Sequence, residues 1–166
     1  ALRRWVKPLI VMTPKSLLRL PQAASTAAEL SDGHFHPVLG DLTQPHHSLV
    51  SRLVLCSGKV YYDVALSPRR AAAGHVAIAR LELLYPFPEE QVAALLAEYP
   101  RLKEVVWLQE EPSNMGARKW VVPQLETLAP GVAVRWVSRP ERSSPAEGYP
   151  AAHHAEQERI VAEALA

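Results

Sequence analysis

Short, continuously apolar runs alternate with helix-patterned segments along most of the chain, and this alternation is the strongest limit on its fold. The clearest run is Arg52-Leu53-Val54-Leu55-Cys56. Val76-Ala77-Ile78-Ala79-Arg80-Leu81, Glu104-Val105-Val106-Trp107-Leu108-Gln109 and residues 132–137 follow it. A strand with one wet face alternates apolar and polar side chains, whereas a strand covered on both faces stays apolar throughout. Between the runs, apolar residues recur at helical spacing: Val60, Tyr61, Val64 and Ala65; Val92, Leu95, Leu96 and Tyr99; Ile160, Val161, Ala164 and Leu165. Strand–helix alternation of this kind implies an α/β fold, a largely parallel sheet with helices on both faces. The C-terminal ends of the strands then share one edge, where such sheets bind ligands.

Proline rather than glycine punctuates the chain, with 15 Pro against 7 Gly. The apolar residues 9–12 read as a first strand. Thr13-Pro14 reads as the cap and first residue of a short helix over 15–20, stopped by Pro21. A further short helix is predicted over 22–30, and a turn at Ser31-Asp32-Gly33. Pro37 restricts residues 35–39 to an edge strand. Pro88-Glu89-Glu90 suits a helix start, because Pro needs no N–H partner there and carboxylates favour the positive end of the helix dipole. Ser113 is the expected cap of a helix carrying Met115, Trp120 and Leu125, kinked at Pro123. Residues 139–150 read as a loop and 153–165 as a terminal helix.

Composition excludes several classes of function. Hydrophobic residues at 48% and charged residues at 21% describe an ordered globular chain. A formal net charge of +1 supplies no field for a nucleic-acid backbone or an anionic membrane. The lone Cys56 rules out an internal disulfide framework. There is no G-x-G-x-x-G and no Walker loop. No apolar run is long enough to span a bilayer. The abrupt start at Ala1-Leu2-Arg3-Arg4 reads as cut from something longer rather than as a secretory leader.

Several stretches carry candidate chemistry. Ser57-Gly58-Lys59, between a strand and a helix, reads as a cap and turn. Joined by Arg139 and Arg142 at the same sheet edge, it reads instead as a site for a phosphorylated or CoA-like anion. Glu110 and Glu111, followed by Asn114 and Met115, sit where adjacent carboxylates can do acid–base work or bind a metal, and where they more often make polar contacts at a domain edge. The loop with Arg142, Ser143 and Ser144 can meet an anion or a neighbouring subunit. The seven His show no metal-ligand spacing. Cys56 has no His in its local sequence, and no Gly-x-Ser-x-Gly elbow supports a hydrolase. No catalytic, cofactor-binding or metal-ligating residue is assigned.

Motifs spread in order over nearly the whole chain resemble the thiamine-dependent decarboxylating component of 2-oxoglutarate dehydrogenases. They are Pro8-Leu9-Ile10-Val11-Met12-Thr13-Pro14-Lys15-Ser16-Leu17-Leu18-Arg19, Cys56-Ser57-Gly58-Lys59-Val60-Tyr61-Tyr62-Asp63, Glu82-Leu83-Leu84-Tyr85-Pro86-Phe87-Pro88, Gln109-Glu110-Glu111-Pro112-Ser113-Asn114-Met115-Gly116-Ala117, and Arg139-Pro140 with Ser143-Ser144-Pro145-Ala146. Where that family usually carries an aromatic residue after the Gly-Ala pair, this chain has Arg118, with Trp120 two residues on.

The resemblance covers the C-terminal end of such an enzyme. It implies that residues 33–166 form a transketolase-like C-terminal domain of three α/β/α layers, with a mixed, mostly parallel five-stranded sheet and one antiparallel edge strand. Residues 1–32 are then the tail of the preceding pyrimidine-binding domain, or a linker. It implies thiamine diphosphate and Mg²⁺ in the full-length enzyme and none bound by this chain alone. The implied partners are the rest of the same enzyme, its homodimer mate and a lipoyl-bearing succinyltransferase, with no nucleic acid and no membrane. The implied location is bacterial cytoplasm, or the mitochondrial matrix in a eukaryote. The expected role is non-catalytic, in dimer assembly and active-site access. Glu110, Glu111, Asn114, Met115, Ser143 and Ser144 are candidate interface residues, and the isolated chain is expected to be inactive. The alternative is a regulatory module binding an anion through Ser57, Gly58, Lys59, Arg139 and Arg142.

Overall fold

The computed structural model describes residues 8, 10–41, 43 and 46–166. They divide into a unit ending at Gly33 and a unit spanning His34–Ala166. The first unit holds 3₁₀ turns at Lys15–Arg19 and Pro21–Ala23 and one α-helix, α1 (Ala27–Ser31). The helix expected over 22–30 therefore shrinks to a 3₁₀ turn and α1. What starts α1 is a capping box: Glu29 N donates to Thr26 Oγ1, and Thr26 N donates to the Glu29 carboxylate. The first 3₁₀ turn is capped by Pro14 without a side-chain hydrogen bond, not by Thr13. No described residue of this unit is buried, and Ile10, Val11 and Met12 are 83%, 69% and 91% exposed. The strand expected over 9–12 does not form at residues 10–12, and Leu9 lies outside the described residues. A strand needs a ladder partner, and no strand is described in this unit.

The second unit is built on β1 (Val38–Leu39), β2 (Arg52–Cys56), β3 (Val76–Leu81), β4 (Glu104–Pro112) and β5 (Ala133–Arg139), in the spatial order β1-β3-β2-β4-β5. β2 pairs in parallel with β3 and β4, β4 pairs in parallel with β5, and β1 runs antiparallel to β3 at the edge. β1 is only two residues long. Pro37 has no N–H for the ladder, and its carbonyl instead accepts from Glu82 N and Leu83 N at 2.8 and 3.1 Å.

Four helices complete the layers: α2 (Val60–Ala65), α3 (Glu89–Ala97), α4 (Arg118–Leu128) and α5 (Pro150–Leu165). Successive strand residues point to opposite faces. Leu53, Leu55, Ala77, Ala79, Val105 and Trp107 pack with Val92 and Leu95 of α3 and Val121 and Leu125 of α4. Val54, Cys56, Val76, Ile78, Val106 and Leu108 pack with Val60 and Val64 of α2 and Ile160 and Ala164 of α5. The central strands β2, β3 and β4 are thus covered on both faces, which is why they read as nearly unbroken apolar runs, whereas β5 at the edge leaves Trp136 41% exposed. Each fully buried aliphatic side chain contributes about 1.5–3 kcal/mol of transfer free energy.

Four boundaries differ from the sequence reading in ways that matter for the site. β4 runs on to Pro112, residues 113–116 turn, and α4 begins at Arg118 with Ala117 as its cap, so Ser113 caps nothing and Met115 is not helical. β5 reaches Arg139, which makes that residue part of the sheet rather than of a loop. α5 starts at Pro150, whose missing N–H costs nothing in a first helical turn.

Candidate functional site

The connection after β2 leads to β3 on one side, and the connection after β4 leads to β5 on the other. Loops leaving two adjacent parallel strands in opposite directions open a crevice at their C-terminal ends. A cavity of about 510 Å³ lies there, lined by Ser57 and Gly58 after β2, Gln109 and Glu111 from β4, and Leu84, Tyr85, Trp107 and Trp120 around them. Gly58 turns the chain out of β2 with φ +75°, a conformation glycine adopts without strain.

Gln109 builds the floor. Its Oε1 accepts from Trp107 Nε1 at 3.0 Å and from Arg118 N at 2.9 Å. Its Nε2 donates to the carbonyls of Glu111, Pro112 and Met115 at 3.3, 3.1 and 2.8 Å. One buried amide thereby fixes both ends of the turn between β4 and α4. Gly116 (φ +68°) lies against that amide, and a Cβ there would stand 3.0 Å from it. On the outer wall, Trp120 Nε1 donates to Leu84 O at 2.8 Å, and the Tyr85 and Trp120 rings lie 5.8 Å apart. Arg118, the departure from the family pattern, stacks over Trp136 at 3.8 Å and donates to Ser113 O.

The candidate anion residues are placed along the same edge but do not converge on one point. Ser57 and Gly58 line the cavity. Lys59 is paired with Asp63 and, at 3.8 Å, with Glu110. Arg139 is buried and donates through Nη2 to His153 Nδ1 and Gln157 Oε1, each at 3.0 Å; its Nε has no hydrogen-bond partner among the described residues. Gln157 in turn donates to Asp63 at 2.8 Å, which links Lys59 to Arg139 through side chains on α2 and α5. Arg142 is separate, paired with Glu147.

Of the candidate interface residues, Glu110 and Glu111 diverge. Glu110 turns to Lys59, while Glu111 lines the cavity and forms no salt bridge with a described residue. Burial raises the Glu110 carboxyl above the usual range, with Lys59 pulling the other way. Asn114 and Arg142 exchange side chain–main chain hydrogen bonds at 2.9 and 3.2 Å, which joins the β4–α4 and β5–α5 loops. Ser143 and Ser144 are exposed on the latter, and Met115 is half-buried. Cys56 is fully buried, and burial pushes its thiol far above the ordinary range. Among the described residues no group of three or more His, Cys, Asp and Glu can hold a metal ion. No helix among them is long and apolar enough to cross a membrane.

Sequence reasoning missed Gln109, Tyr85 and Trp120 as parts of this site. The signal for Gln109 was present: it is the uncharged polar residue at which the apolar run of 105–108 ends.

Comparison with known proteins places the sequence in a family. The family model described as 2-oxoglutarate dehydrogenase C-terminal matches residues 24–165. The 2-oxoglutarate dehydrogenase E1 component of Bacillus subtilis is 49% identical, over 99% of this chain and 18% of its own length. The same component is 49% identical in Geobacillus kaustophilus (98% of this chain, 18% of the relative) and 43% identical in Cupriavidus necator (99% and 18%). The chain thus spans less than a fifth of the length of these relatives, and it belongs to the 2-oxoglutarate dehydrogenase C-terminal family.

Proposed function

We propose that this chain is the non-catalytic C-terminal domain of a thiamine diphosphate-dependent 2-oxoglutarate dehydrogenase. Such an enzyme decarboxylates 2-oxoglutarate and passes a succinyl group to a lipoyl carrier in the tricarboxylic acid cycle. The observation that carries this reading is the coverage: 99% of this chain aligns at 49% identity with only 18% of the Bacillus subtilis component. In this reading the cofactor and Mg²⁺ are held by the rest of the polypeptide. The crevice described above does not fit a diphosphate, because its walls are largely apolar and its rim carries Glu111. No step of the reaction is therefore assigned to residues of this chain.

Its contribution is assembly and shape. The sheet presents the segment at 82–88, the end of β4 with its following turn at 110–117, and the loop at 140–149 along the edge where the strands end. Glu110, Glu111, Asn114, Met115, Ser143 and Ser144 on the latter two are candidates to meet the dimer mate or to border the route to the active site. Residues 1–32 fit the tail of the preceding domain: exposed Ile10, Val11 and Met12 are the kind of run that pairs with a sheet elsewhere. The lipoyl-bearing succinyltransferase is the expected partner in the complex, in the cytoplasm of a bacterium.

The test is an assay of 2-oxoglutarate decarboxylation with thiamine diphosphate and Mg²⁺. The full-length enzyme is expected to turn over and to elute as a dimer. The 166-residue chain is expected to release no CO₂; release by this chain alone overturns the proposal.

A further inference from the structure

The crevice between the ends of β2 and β4 has features that the domain itself does not use. Tyr85 and Trp120 form its outer wall while 78% and 42% exposed, and Leu84 and Trp107 continue the apolar surface inward. The wall is set before anything binds: the Trp120 indole is held by Leu84 O, and the floor by the Gln109 amide. Rigid, exposed Tyr and Trp side chains around a pocket are the usual anchors of protein interfaces, since they bury a large area at little conformational cost.

Charge narrows the occupant. Glu111 stands at the rim with no salt bridge to a described residue, and Glu110 behind it already shares Lys59 with Asp63. An anion entering here meets carboxylate, whereas an ammonium or guanidinium gains a partner. The matching group is one large apolar side chain with a Lys or Arg beside it. A source is at hand, because relatives of this chain extend over more than five times the length it covers, as the 18% coverage requires.

We propose that this crevice seats a segment of the full-length polypeptide from outside these 166 residues, presenting an apolar side chain next to a basic one. The proposal rests on the reading that this chain is one domain of a larger enzyme. Burial of Tyr85 and Trp120 in the assembled enzyme is its direct consequence.

The experiment is hydroxyl-radical footprinting of the dialysed full-length enzyme against the 166-residue chain, read at Tyr85 and Trp120 by mass spectrometry. Labelling of both residues is expected to fall several-fold in the full-length enzyme, and Glu111→Lys, an exposed substitution, is expected to restore it. Equal labelling in the two proteins overturns the proposal, as does protection that survives Glu111→Lys unchanged. A photoreactive phenylalanine analogue in place of Tyr85 then identifies the occupant. A cross-link to a peptide of the same enzyme outside these 166 residues supports the proposal. A cross-link to these 166 residues of either copy, or to another protein, overturns it. Turnover of 2-oxoglutarate is measured on the same wild-type sample. Full labelling of an active enzyme removes the docking proposal alone, and absent turnover with protected aromatics removes the functional reading alone.

Discussion

Gln109 carries more of the site than any other single side chain. It is buried, and its amide bonds an indole N–H, a helix-start N–H and the carbonyls of Glu111, Pro112 and Met115. Gln109→Met keeps the volume and removes every one of these bonds. Leaving such groups unpaired is expected to cost about 2–4 kcal/mol, measured as a lower urea midpoint. A midpoint within error of the wild type would mean that the turn is held by something else. Glu110 makes the opposite case. Burial raises its carboxyl, with Lys59 only partly compensating. A carboxyl whose folded value is raised stabilises the fold below the unfolded carboxylate range, and that contribution is lost as pH rises through the folded value. Glu110→Gln should therefore gain stability relative to the wild type as pH climbs from about 4 towards about 7. Thermal midpoints of the two proteins across that range check the sign, and a variant-minus-wild-type difference that falls with rising pH would contradict it.

At the scale of elements, the strands and the ion pairs that align them divide by how visible they are in sequence. β2 and β3 could be read residue for residue, because burial on both faces leaves residues 53–56 and 76–79 as unbroken apolar runs, with Arg52 and Arg80 only partly buried near the ends. The start of α4 could not be read. Ser113 has the chemistry of a cap, but the amide of Gln109 reaches across the turn and holds Arg118 N, so the helix begins later. Lys59 and Arg139 were likewise visible as cations, and Asp63 stands only four residues from Lys59. The partners of Arg139, His153 and Gln157, sit on α5, beyond the loop that follows β5, and no local pattern points to them. At the other end of the sheet, Glu104 on β4 accepts from Arg52 on β2 and Arg135 on β5, and Arg135 also faces Glu163 on α5. Burial alone would raise the Glu104 carboxyl, but the hydrogen bonds from Arg135 and then Arg52 outweigh it and hold the group below its usual range. A depressed carboxyl stabilises above the unfolded value and loses that contribution as pH falls through the folded one. Glu104→Gln is accordingly expected to cost about 1–2 kcal/mol at neutral pH. The deficit should shrink on acidification below about pH 4. Denaturation at both pH values tests this, and a deficit that does not depend on pH would point to packing instead of charge.

At the scale of the whole molecule, the two units differ in what they can bury. The unit from His34 to Ala166 contains the complete sheet and two separate apolar clusters, one on each face. A sheet covered on both sides by its own helices has the core that independent folding requires. The stretch before it has no buried residue and no strand among its described residues, so it supplies no core of its own. A chain comprising residues 34–166 is therefore expected to unfold cooperatively, with a single transition reported alike by far-UV circular dichroism and tryptophan fluorescence. Trp107 makes fluorescence report on the core, because it is 1% exposed and belongs to one of the clusters, whereas Trp120 and Trp136 are more exposed. Residues 1–33 alone are expected to show no cooperative transition. The exposed Ile10, Val11 and Met12 add a second expectation. Apolar side chains in an unpaired segment promote association, so the 166-residue chain should self-associate at lower concentration than residues 34–166. Sedimentation velocity on the two proteins decides this. Equal association would place the sticky surface on the second unit, with Tyr85 and Trp120 as its exposed aromatics, and would leave the folding prediction to stand or fall on the coincidence of the two optical transitions.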